Sequence, residues 1–111
     1  MVPRRTYSID SEDGEYELIP TKFFLDQLDD MDDSSKKLIK EKLLLVKINP
    51  YRYKRIKGYD LFLFRIRFED GRKEKRLIYL LDKRKIKILC ILDRDKDYKD
   101  LKRFLKSHGY L

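Results

Sequence analysis

The chain has 111 residues, 43% of them charged and 41% hydrophobic, which is enough apolar material for one packed domain and too little for two. No apolar run approaches the ~20 residues that span a bilayer, and one cysteine (Cys90) with one histidine (His108) excludes a disulfide framework, a zinc finger, a two-histidine ribonuclease mechanism and any multi-histidine metal site. The net charge of +8 divides into −7 over residues 1–33 and +15 over residues 34–111, so the C-terminal two thirds should draw in polyanions by steering and counterion release.

Residues 1–14, with Pro3, Ser8, Ser11 and Gly14 among acids, read as an N-terminal extension, and residues 15–111 as the domain. No apolar run follows Arg4 and Arg5, so no secretory signal is read there, and a reducing cytoplasm is the expected location. Ala and Trp are absent while Lys, Ile and Arg are plentiful. That composition leans towards a thermophile, and a solubilised thermophile surface is the plain alternative explanation of the charge.

Glu15–Pro20 is a short strand that Pro20 ends. Thr21 can cap a helix over Lys22–Leu28, with Phe24, Leu25 and Leu28 on one face. The acidic run 29–33 is a turn that favours the N-terminus of a second helix, capped by Ser34 or Ser35. Leu38, Ile39, Lys42, Leu43, Leu45 and Val46 form its apolar stripe, and Asn49-Pro50 stops it. The period then changes from 3.6 to 2. Strand segments follow at 51–57, 60–69, 72–82 and 85–92, with turns at Asp70-Gly71 and Lys83-Arg84. From about Asp95 the pattern is helical again, with Tyr98, Leu101, Phe104 and Leu105 on one face and Gly109 as C-terminal cap. The fold class is α+β, a single domain written β-α-α-β-β-β-α. It has antiparallel hairpins in the C-terminal half, an N-terminal helical hairpin and a C-terminal helix.

The strand 61–68 is the most informative segment. Alternation puts Phe62, Phe64, Ile66 and Phe68 on a face that packs on the helices, and Leu61, Leu63, Arg65 and Arg67 on the other. Arg76 interrupts the apolar run of the next strand, and Arg94 stands where the sheet gives way to the last helix. Arg65, Arg67, Arg76 and Arg94 can converge with Tyr98 on one face. Guanidinium groups without a carboxylate pair suit phosphate, not glycosidic or peptide chemistry. The alternative is that these arginines pair with Glu69, Asp93, Asp95 and Asp97 on a solvated face.

The series Asn49-Pro50, Arg55-Ile56-Lys57-Gly58, Leu63-Phe64-Arg65-Ile66-Arg67-Phe68, Arg76-Leu77-Ile78-Tyr79 and Leu92-Asp93-Arg94 with Tyr98 resembles the RelE/ParE toxin superfamily, and within it the RelE-type mRNA interferases. The resemblance spans about residues 15–107. It implies the toxin of a type II toxin–antitoxin system, a ribosome-dependent endoribonuclease that cuts mRNA in the A site. In that chemistry the 2′-hydroxyl attacks the adjacent phosphate and leaves a 2′,3′-cyclic phosphate. By position, the resemblance assigns catalysis to Arg76, Arg94 and Tyr98, and RNA or phosphate binding to Arg65, Arg67, Arg55 and Lys57. Arg65 and Arg67 stand where bacterial members often have Lys. Arg does not give up its proton, so Tyr98 is the candidate base, or else a helix residue packing on the sheet. His108 lies beyond the match and reads as a solvated terminal residue.

No cofactor, metal or membrane is expected. The implied partners are a 70S-type ribosome with its mRNA and an acidic RelB-like antitoxin, in a joint oligomer. The antitoxin is expected to cover Leu61 and Leu63 beside the arginines. The competing readings are a ParE-like DNA gyrase inhibitor and a non-catalytic RNA- or ribosome-binding domain.

Overall fold

A computed structural model of the chain describes residues 16–93 and 99–111. The N-terminal extension, Arg94 and Tyr98 lie outside the described residues. The elements run β1 (Glu17–Pro20), α1 (Lys22–Asp29), α2 (Asp33–Ile48), β2 (Lys54–Ile56), β3 (Leu63–Asp70), β4 (Lys73–Asp82), β5 (Lys85–Asp93) and α3 (Lys99–Ser107). The α+β class holds. The order has one more strand than the shorthand β-α-α-β-β-β-α; the strand left out of that shorthand is Lys54–Ile56, inside the segment 51–57 read as extended, and it pairs with β3.

The five strands form one mixed sheet, ordered β1-β5-β4-β3-β2. Pairings among β2 to β5 are antiparallel, and β1 runs parallel to β5. The β3–β4 turn closes between Asp70 and Lys73, with Gly71 at φ +68, a left-handed conformation that favours glycine. The β4–β5 register slips by one residue opposite Ile78 and Tyr79. Beyond Pro20, β1 no longer covers β5. There the Gln27 side chain substitutes for a strand, donating to the Ile91 carbonyl (2.9 Å) and accepting from the Ile91 N–H (2.7 Å).

Alternation along the strands builds two cores. On one face Phe64, Ile66, Phe68, Leu77, Tyr79, Leu81, Ile86 and Ile88 pack with Phe24 of α1 and Ile39 and Val46 of α2. On the other, Ile56, Leu63, Ile78, Leu80, Leu89 and Cys90 pack with Leu101, Phe104 and Leu105 of α3. The expectation that helices cover only the phenylalanine face is corrected here, since α3 covers part of the arginine face. Leu63 is fully buried and Leu61 half-buried, so Leu63 is not open to an antitoxin.

Three local expectations also change. Asp32, not a serine, caps α2, its carboxylate accepting from Ser35 N (2.8 Å). A charged oxygen at that position gains from the helix dipole as well as from the hydrogen bond. That bond, with the Ser34 hydroxyl, holds the Asp32 carboxyl below its ordinary value. Ser35 is instead buried, and its hydroxyl donates to Asp70 at 2.7 Å. Leu25 and Phe62 are 41% and 52% exposed, because α1 turns only Phe24 and Leu28 inward and Phe62 lies outside the sheet core.

At the other end of the chain, α3 closes as anticipated. Gly109 has φ +81, Tyr110 N–H donates to the Leu105 carbonyl and Gly109 N–H to that of Lys106. This pair of bonds satisfies carbonyls that the helix end leaves open.

Candidate RNA-binding face

Register decides which cations meet. Arg67 on β3 stands directly opposite Arg76 on β4. Two positions back along β3, Arg65 stands opposite Ile78 of β4 and Lys54 of β2. All four side chains belong to the sheet face that α3 covers further along. Within four positions of β3, that face changes from Leu63, under α3, to Arg67, half-exposed at 53%. Lys54 was not anticipated. It became visible only when β2 was paired with β3, since the pairing places it beside Arg65.

The cations sit on a fixed floor. Leu77 and Ile78, next to Arg76 in β4, are 1% and 0% exposed, and the Nε atom of Arg76 is itself buried. Arg76 is therefore held at its base, while Arg67 reaches solvent. Opposed like charges on neighbouring strands are destabilising, and Glu74 lies near them, its carboxylate 3.8 Å from Arg67 Nε. The Glu69–Glu74 pair next along the ladder marks the acidic end of the face.

The other expected binders do not join this group. Arg55 pairs with Phe64 and lies on the opposite sheet face, its guanidinium 4.1 Å from the centre of the Phe62 ring. Lys57 lies beyond the end of β2 and lines a surface recess with Tyr59, Asp60, Lys102 and Leu111. Asp93, the described neighbour of Arg94, pairs with Lys75, next to Arg76. Among the described residues, no group of histidine, cysteine and acidic side chains could hold a metal ion.

Tyr79 and Cys90 are structural. The Tyr79 hydroxyl donates to the Pro50 carbonyl at 2.6 Å, and its ring stacks on Phe64 at 5.2 Å. Burial, with a further contribution from Tyr53, raises its pKa above the ordinary phenol value. The hydrogen bond ties two separate sequence signatures, Asn49-Pro50 and Arg76-Leu77-Ile78-Tyr79, into one piece of architecture. Cys90 is fully buried on β5, as expected, and burial pushes its thiol up to about 12. His108 is exposed, as expected, and its ring also makes two aromatic contacts. Its ring stacks on Phe104 at 4.0 Å and meets Phe23 edge-on at 5.1 Å.

No family model matches the chain, and no curated protein matches it. Solved structures do. A mutant of the E. coli toxin RelE in the free state matches with a TM-score of 0.65 at 16% identity, over 80% of this chain and 97% of that one. The intact E. coli RelBE toxin–antitoxin complex matches with a TM-score of 0.60 at 18% identity, over 73% and 99%. The archaeal RelE–RelB complex from Pyrococcus horikoshii OT3 matches with a TM-score of 0.57 at 19% identity, over 75% and 99%. The chain has the RelE-type fold.

Proposed function

We propose that this protein is the toxin of a type II toxin–antitoxin pair, a ribosome-dependent endoribonuclease that cuts mRNA in the A site. The observation that carries the reading is the directly opposed pair Arg67 and Arg76, with Arg65 and Lys54 beside it. The like charges of this group repel one another; a phosphate between the guanidinium groups relieves that repulsion and receives bidentate hydrogen bonds. The RelE-type fold supports the assignment, and two of the similar structures are toxin–antitoxin complexes.

In this mechanism Tyr98 accepts the proton of the 2′-hydroxyl. The 2′-oxygen attacks the adjacent phosphorus, and Arg76 and Arg94 stabilise the charge that develops on the phosphoryl oxygens. The 5′-oxygen leaves with the bonding pair and takes up a proton from solvent, giving a 2′,3′-cyclic phosphate and a 5′-hydroxyl. Arg67 holds the same phosphate from the facing strand, and Arg65 and Lys54 hold the flanking backbone. The partner is an acidic antitoxin. The large apolar side chains exposed on α2 (Leu44 and Ile48 at 61% and 76%, beside Leu45) suit an amphipathic helix better than the buried Leu63 and half-buried Leu61 do. The site of action is the cytoplasm, where ribosomes translate.

The test is translation in vitro with primer extension on the message. The parent protein should produce stops within A-site codons, and Arg76→Ala and Arg94→Ala should each reduce cleavage about a hundred- to a thousandfold. Tyr98→Phe should cost at least ~100-fold with folding unchanged if Tyr98 is the base. Cleavage undiminished in Arg76→Ala and Arg94→Ala overturns the ribonuclease reading.

A further inference from the structure

We propose that the β2 edge carries a second RNA contact, a stacking platform of Phe62 and Arg55 that receives one unpaired base on the sheet face opposite Arg65, Arg67 and Arg76. The inference deepens the proposed function and rests on it for the choice of RNA as the polyanion.

Phe62 continues the β3 register, its carbonyl accepting from Leu81 N–H at 2.9 Å, yet its ring is 52% exposed. Arg55, also exposed, lays its guanidinium over that ring at 4.1 Å. Tyr51, 59% exposed, stands nearby, its ring edge-on to Phe64 at 5.9 Å, and Phe64 is the residue that pairs with Arg55. Arg52 and Lys57 add charge on either side. Among the described residues, none of Arg52, Arg55 and Lys57 forms an ion pair with a carboxylate.

Cations on an edge strand protect it from pairing with other chains. That purpose accounts for Arg55 and Lys57 but not for Phe62 and Tyr51, since large exposed aromatics on an edge increase the hazard. Aromatic rings interleaved with guanidinium and ammonium groups are instead what single-stranded nucleic acid needs: flat faces for bases and cations for the backbone. A guanidinium already stacked on one ring keeps its second face for a base and its rim N–H groups for phosphate. An acidic peptide would use the charges and leave the flat face unused. Lys54 and Arg55 are consecutive and belong to opposite faces, so a bound strand passes from the first site to the second around the short β2 edge.

The test is fluorescence anisotropy of the full chain with a labelled single-stranded RNA of about ten nucleotides, and with the same backbone carrying an abasic site at its centre. Phe62→Ala should weaken the intact oligonucleotide about five- to a hundredfold and the abasic one about twofold or less. Arg55→Lys keeps the charge and loses the planar stack, so it should show the same asymmetry. Thermal melting confirms folding for both variants.

Equal losses on both RNAs, or no loss, overturn the platform. So does a Phe62→Ala protein that binds RNA normally but no longer holds an acidic antitoxin. The assay needs no cleavage, so the two readings fail separately. Absent cleavage with Phe62-dependent binding sinks the ribonuclease, and intact cleavage with Phe62-independent binding sinks the platform.

Discussion

Replacing Glu74 by Gln should make the protein less stable and a better binder of RNA. Arg67 and Arg76 are direct cross-strand partners, which brings their Cα atoms to about 4.5–5.5 Å. Two unit charges separated by about 5.5 Å, the upper Cα spacing of such a pair, repel by about 3 kcal/mol at an effective dielectric constant of about 20 and by about 0.75 kcal/mol in bulk water. Arg67 is 53% exposed, so a value near ~1 kcal/mol applies. The Glu74 carboxylate, 3.8 Å from Arg67 Nε, offsets about that much in the free protein. Its removal should cost about 1 kcal/mol, or roughly 4 °C in melting temperature.

In the complex the sign reverses. A phosphate held about 6–8 Å from a carboxylate is repelled by about 0.5–1 kcal/mol, so at that separation losing the Glu74 carboxylate should raise affinity about two- to fivefold. Arg67→Gln should change stability by less than ~1 kcal/mol, weaken RNA, and lower the slope of log K against log salt by about 0.7. Anisotropy titrations across a salt series, beside thermal melts of the same samples, measure both arms. If Glu74→Gln weakens RNA binding, the carboxylate is an RNA contact and not an electrostatic brake, and the phosphate-holding role of this arginine pair is wrong.

Cys90→Ser should cost about 1–3 kcal/mol, because it buries a hydroxyl where an apolar thiol sat, and should leave cleavage unchanged; rapid labelling of the native thiol at neutral pH would contradict its burial. Tyr79→Phe should destabilise by about 1–3 kcal/mol by leaving the buried Pro50 carbonyl without its donor, again with cleavage intact, and a loss of catalysis larger than the loss of stability would give Tyr79 a role in the chemistry. Asp70 accepts from the Ser35 hydroxyl and meets Lys75 at 3.0 Å, and these contacts, the hydroxyl first, hold its carboxyl below 3.8. A depressed folded pKa contributes stability that is complete above the unfolded value and is lost as pH falls through the folded one. Asp70→Asn should therefore be less stable than the parent at pH 7 and nearly equal to it in strong acid, as read by denaturant titrations at pH 7 and at about pH 2; a constant difference at both would remove the linkage.

The parts of this molecule governed by period were legible in the sequence, and the parts governed by register were not. The alternation from Leu63 to Phe68 was enough to put Arg65 and Arg67 on one side of β3, and the flanking apolar run was enough to bury Cys90. Arg55 alternates just as clearly, yet its face depends on which residue of β3 it meets. Opposite Phe64 it faces the α1–α2 side; a slip of one residue would have placed it with Arg65. Lys54 was missed for the same reason. The cap of α2 was misplaced because Asp32, Ser34 and Ser35 are all competent caps within four residues. What distinguishes them is the partner 35 positions away, Asp70, which draws the Ser35 hydroxyl inward.

The placement of α3 gives the proposed RNA-binding face its base. Leu101, Phe104 and Leu105 pack with Leu63, Ile78, Leu80, Leu89 and Cys90, so part of this face is buried as a second core. A single sheet with one bare face would leave the arginine backbones free to flex. Here Arg76 follows directly into a strand buried from Leu77 to Leu81, and its backbone cannot shift without disturbing both cores. The cations begin where the helix's apolar contacts end, which confines the charge to one end of the face and keeps it over a rigid base. Catalysis by fixed charge requires that arrangement, since donors that must reorganise as the transition state forms give back the stabilisation they supply.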